Sequence, residues 1–154
     1  MGITIKYKLG QKLNCVKGTL DRAQELAEAI RTQQVGKIGV PFEIRRLNDK
    51  SLRVDIGNCE TLNFMFETVK EINTAGKLDW DYAHAVLTDD GKKILDEGYE
   101  IEKYPQNEKA YCAGFCKTQF SKSMIEHKWI AEIIRAVAGR CFAAEVSDEG
   151  GYYH

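Results

Sequence analysis

Proline is nearly missing from this sequence, with two in 154 residues, and histidine is scarce at three. No stretch approaches the roughly 18 consecutive apolar residues that a membrane-spanning helix needs, so a membrane is excluded as the expected setting. Few prolines, with apolar residues spread along the whole length, also exclude an intrinsically disordered chain. Neither sign of charge dominates: 22 Lys and Arg against 23 Asp and Glu leave a net charge of −1. That balance, together with the absence of a recognisable RNA- or DNA-reading motif, argues against nucleic acid as a partner. A glycine-rich phosphate loop of the Gly-x-x-x-x-Gly-Lys kind is absent. The chain does not open on a basic stretch followed by an apolar run, as a secretory signal would. Cys15, Cys59, Cys112, Cys116 and Cys141 are an odd set without the close, regular spacing of a secreted disulfide scaffold. A cytoplasmic protein with reduced thiols is the expectation.

What is present reads as one domain over residues 1–154, long enough to bury about 70% of the surface its unfolded chain exposes. Ile3, Ile5 and Tyr7 alternate with Thr4, Lys6 and Lys8, the period of a strand with one buried face. From Leu20 the period changes to Leu20, Ala23, Leu26, Ala27 and Ile30, which predicts a helix with Thr19 as N-cap and an end before Gly36. Residues 42–67 read as a three-stranded antiparallel meander turning at Asn48-Asp49-Lys50 and at Gly57-Asn58. Acidic residues crowd 68–109, a stretch expected to leave the core as an excursion. Tyr111 to Phe120 reads as a buried strand approached closely at Gly114. Ser123 and Glu126 have capping-box spacing before Ile130, Ile133, Ile134 and Val137, so a second helix is predicted to end at Gly139, with a last strand over 142–146. Strand, helix, three strands, excursion, strand, helix, strand predicts an α+β two-layer sandwich. Its sheet would be mixed or antiparallel and carry two main helices on one face.

Met-Gly-Ile-Thr-Ile-Lys-Tyr at the start, Phe115-Cys116-Lys117-Thr118-Gln119-Phe120, and Ser147-Asp148-Glu149-Gly150-Gly151-Tyr152-Tyr153 near the end resemble a small family of uncharacterised microbial α+β proteins. The resemblance implies a fold but no activity. It also implies that the Cys-Lys-Thr-Gln and Asp-Glu-Gly segments are hallmark positions.

Two places invite chemistry. Cys116 or Cys112, with His127 and Asp148 or Glu149, would make a thiol nucleophile, an imidazole base and an orienting acid. Lys117, Thr118, Gln119 and Ser123, with Glu149, would make a polar patch for a small anionic ligand at a helix N-terminus. If the last strand runs parallel to the Tyr111–Phe120 strand, both exits reach one edge of the sheet and Lys117 can pair with Asp148. Cys112 and Cys116 lack the second ligand pair that a structural zinc site requires, so neither a metal nor a cofactor is expected. The leading expectation is a small binding or interaction module, able to form a homo-oligomer or take a protein partner. A small enzyme using the Cys-His-Asp set is the alternative.

Overall fold

The computed structural model describes residues 3–35, 41–68, 109–118 and 124–149. Along the chain its elements are β1 (Thr4–Lys12), α1 (Leu13–Ile30), β2 (Phe42–Asn48), β3 (Ser51–Ile56), β4 (Leu62–Met65), β5 (Glu67–Thr68), β6 (Lys109–Lys117), α2 (Met124–Ala138) and β7 (Ala143–Asp148). A π-helical turn over Arg31–Val35 prolongs α1.

Alternation along β1 sets the architecture. Ile5, Tyr7 and Leu9 are buried, whereas Lys6 is exposed and Lys8 half-buried. β1 lies inside a four-stranded sheet of order β5-β6-β1-β7, while β2, β3 and β4 form a three-stranded sheet. Every strand pair is antiparallel. The two sheets meet along one stretch of chain: only Phe66 separates β4 from β5, and the Glu60 N–H donates to the Lys117 carbonyl at 2.9 Å. Since β6 and β7 each run antiparallel to β1, they run parallel to one another with β1 between them. With α2 as the connection, they form a split β-α-β unit.

α1 buries Val16, Leu20, Ala23, Ala27 and Ile30, and α2 buries Ile130, Ile133, Ile134 and Val137. Spacings of three and four put each set on one stripe. Both stripes share a single core cluster with Ile5, Leu9, Cys112 and Cys116 of the larger sheet and Leu52, Val54 and Phe64 of the smaller one. The α+β class is therefore as the periodicity predicts, and the three meander strands fall within 42–67 as expected.

Three boundaries differ: β6 begins at Lys109 rather than Tyr111, β7 spans Ala143–Asp148 rather than 142–146, and the first helix starts earlier than expected. α1 starts at Leu13, directly after β1, rather than at Thr19. Lys12 is the N-cap through its extended backbone (φ −60°, ψ 135°), without a side-chain cap. Thr19 is instead buried within the helix, where its hydroxyl accepts from Gln11 Nε2. A polar residue that resembles a cap is here an internal anchor between α1 and β1. The expected excursion over 68–109 lies outside the described residues except at its two ends, in β5 and β6.

Gly114 is held by a close approach. A Cβ there would fall 2.7 Å from Tyr7 Oη and 3.0 Å from Cζ. Tyr7 is buried, and its hydroxyl donates to the Asn63 carbonyl at 2.7 Å, so the ring has nowhere to go. Gly114→Ala is expected to destabilise the protein by about 1–3 kcal/mol through overpacking. Gly18→Ala, on the exposed side of α1 with nothing within 4 Å of its Cβ position, is expected to stabilise by about 0.5–1 kcal/mol through helix propensity. Urea denaturation of the two variants checks both signs.

Candidate functional site

β6 and β7 end at the same edge of the sheet, Lys117 opposite Thr4 and Asp148 opposite Ile5. On the inner side of that edge three polar side chains are enclosed: Thr118 and His127, neither exposed at all, and Asp148. His127 Nε2 donates to Asp148 Oδ1 at 2.8 Å. Its Nδ1 meets the Thr118 hydroxyl. Thr118 Oγ1 also lies 3.3 Å from the Ile3 carbonyl, which accepts the Thr118 N–H at 2.8 Å as well. An ionised carboxylate only accepts, so the ring carries its proton on Nε2. The Thr118 hydroxyl then either donates to Nδ1 of a neutral imidazole, or accepts from a charged one and donates to Ile3.

His127 therefore joins Asp148, as expected of the Cys-His-Asp set, but the hydroxyl of Thr118 takes the position foreseen for a thiol. Cys116 Sγ donates to the Glu60 carbonyl at 3.1 Å instead. Burial, and then Cys59, Glu60 and Asp55 nearby, push the Cys116 thiol up to about 12. Burial above all pushes Cys112 up to about 12 too. Neither thiol has the lowered pKa and access that a nucleophile needs. An alcohol, an imidazole and a carboxylate in line are the groups that activate a hydroxyl in acyl transfer. Here all three are buried, Thr118 and His127 completely.

Lys117 and Thr118 are neighbours on an extended chain and so face opposite ways. Thr118 turns inward, while Lys117 Nζ stands 5.9 Å above the Phe115 ring on the outer side. Lys117 thus does not share a face with Asp148, because a one-residue offset on a strand reverses the side. Glu149 is engaged by backbone: its Oε2 accepts the Thr4 N–H at 3.2 Å and its own N–H donates to the Thr4 carbonyl at 3.0 Å. Gln119 and Ser123 lie outside the described residues. Among the described residues no three His, Cys, Asp or Glu side chains are grouped to hold a metal ion.

A second surface emerges on the outer face of the larger sheet. Phe115 and Phe142 are each 54% exposed. The Phe142 ring lies over Gly10, where a Cβ would come within 3.0 Å of its Cζ, and edge-on to Tyr111 with centroids 6.3 Å apart. Lys109 Nζ sits 5.3 Å from the Phe142 centroid. Beside the Phe115 ring, Lys6, Lys8, Phe115, Glu145 and Ser147 line a depression of about 450 Å³. The sequence singles out Lys117 here but none of the aromatic residues. The cue was the odd-numbered parity that Lys109, Tyr111, Phe115 and Lys117 share on β6.

No family model matches the chain, nor does any curated protein or solved structure. The site's meaning rests on its own geometry.

Two measurements test the inner arrangement. At about pH 8.5, near the pKa of a free thiol, iodoacetamide is expected to label exposed Cys15 while Cys112 and Cys116 react only after unfolding. Fast labelling of Cys116 in the folded protein would favour the thiol-enzyme reading over the binding module. Asp148→Ala should cost about 3 kcal/mol by leaving a buried imidazole without its acceptor, and Thr118→Val about 1–2 kcal/mol. Urea midpoints for the two variants give the comparison.

Proposed function

We propose that the chain is a binding module whose working surface is the outer face of the β5-β6-β1-β7 sheet. The observation that carries this reading is the pair of large rings, Phe115 and Phe142, more than half exposed beside lysines on a sheet whose other face is the core. Scattered apolar residues are normal on a surface, but aromatic rings set in a charged frame on rigid strands are what contact surfaces use. Among the described residues, the thiols of the enzyme alternative, Cys112 and Cys116, are buried. Among the described residues no helix is long and apolar enough to cross a membrane. All five cysteines are free, which supports a reducing, cytoplasmic setting as part of the proposal.

Phe115→Ser combined with Phe142→Leu, which keeps the packing on Gly10 and Tyr111, is expected to shift stability by less than about 1 kcal/mol, as surface substitutions do. A thermal-shift panel of oligonucleotides, acidic peptides and polyphosphate should yield a ligand that stabilises the native chain and not the double variant. Light scattering of both proteins reports whether a second copy is itself the ligand. Equal ligand effects on the two proteins would move the binding surface elsewhere.

A further inference from the structure

We infer that this outer face binds single-stranded nucleic acid, with bases stacked on Phe115 and Phe142 and phosphates held by Lys6, Lys8 and Lys117. The inference rests on the reading above and names the partner of that surface.

Charge supplies the first argument. The outward positions of β1 and β6 carry lysines at 6, 8, 109 and 117 and no acidic residue. Among the described residues the outward acids sit on the flanking strands, Glu67 opposite Tyr111 on β5 and Glu145 on β7, the latter 3.8 Å from Lys8. A basic track two strands wide thus runs between acidic margins. Polyanions are held by such a track, whereas a second copy would set lysine against lysine.

The rings supply the second. Phe115 lies beside Lys6, to judge from their register, and Phe142 covers Gly10. Four residues of strand at roughly 3.4 Å each separate those points by about 14 Å, with Lys8 between them. Each ring has an ammonium above it, at 5.9 Å for Phe115 and 5.3 Å for Phe142. An exposed π-face next to a cation is the repeating element of single-strand sites, where bases stack and the backbone tracks the charge. Duplex offers no free base faces to such rings. The near-neutral total of the chain argues against nucleic acid only while charge is taken as evenly spread, and on this face it is not.

Fluorescence anisotropy of the full chain with labelled oligouridylate and oligodeoxythymidylate of about 12 nucleotides, a length within the usual site sizes, tests the assignment. Saturable binding is expected, tighter than to a duplex of the same length. Phe115→Ala with Phe142→Ala should weaken it at least about tenfold without changing the salt dependence. Phe115→Leu with Phe142→Leu, which keeps apolar packing on Gly10 and Tyr111, should show the same loss with an unchanged urea midpoint. Lys6→Gln with Lys8→Gln should lower the slope of log affinity against log salt by about 1.4, two phosphate contacts' worth. Failure of the native chain to bind either oligonucleotide overturns the nucleic-acid assignment alone. Binding that survives the phenylalanine variants while duplex binds equally well overturns stacking, and with it the inference. Binding that survives all of these variants places the site off this face and overturns the underlying reading as well.

Discussion

The register of β1 is the constraint on which the rest of the molecule depends. It pairs with β6 from Thr4 to Lys12 and with β7 from Ile5 to Gly10, so both neighbours take their sidedness from it. A slip of one residue would bring Lys6 and Lys8 into the core and push Ile5, Tyr7 and Leu9 into water. Each of those large side chains contributes about 1.5–3 kcal/mol by burial, and unpaired ammonium groups in the core would add a larger penalty. The contact of Tyr7 with Gly114 and its bond to the Asn63 carbonyl carry the same register across to β4. One strand therefore fixes which residues are core and which are surface in both sheets.

The Thr118–His127–Asp148 relay depends on that register. It forms because β6 and β7 end together, Lys117 against Thr4 and Asp148 against Ile5, with α2 bringing His127 between their ends. Buried polar groups of this kind add little net stability over well-packed apolar ones of the same volume. What they add is a condition that misregistered forms fail. Moving β7 by one residue would turn Asp148 to the outer face and leave the imidazole with an unmet donor, which costs far more than the relay gains. The Thr118 N–H to the Ile3 carbonyl and the Glu149 N–H to the Thr4 carbonyl close the same edge with backbone bonds. A relay whose groups resemble catalytic machinery thus also serves the fold.

Period-two and period-3.6 patterns made most elements legible: β1, the 42–67 meander, β6, α2 and β7 all follow from alternation or stripe. The start of α1 was not legible, because Thr19 looks like a cap and its true partner, Gln11, is brought near only by the turn out of β1. The pairing of His127 with Asp148 could be read from topology, since it needs only parallel neighbours and a connecting helix. The choice between Cys116 and Thr118 could not, because both lie on the same face of one strand and only three-dimensional placement decides which reaches Nδ1. The aromatic outer face was hidden for a different reason. Phe142 is outside the last strand and gains its place from Gly10, more than a hundred residues earlier in the chain.

Total charge misleads for the same geometric reason. At physiological ionic strength, fields from exposed charges decay over about 8 Å, so a partner at the sheet responds to the charges on that face and hardly to those on the far side. Lys6 and Lys8 lie on one strand and Lys109 and Lys117 on the next, within a few Debye lengths of each other, while among the described residues the nearest outward acids occupy the flanking strands. A sum of −1 over the whole chain averages across distances at which the charges no longer interact. The sheet face is the unit over which a charge argument holds, and that unit is defined by strand register, which sequence alone implies through parity but does not assemble.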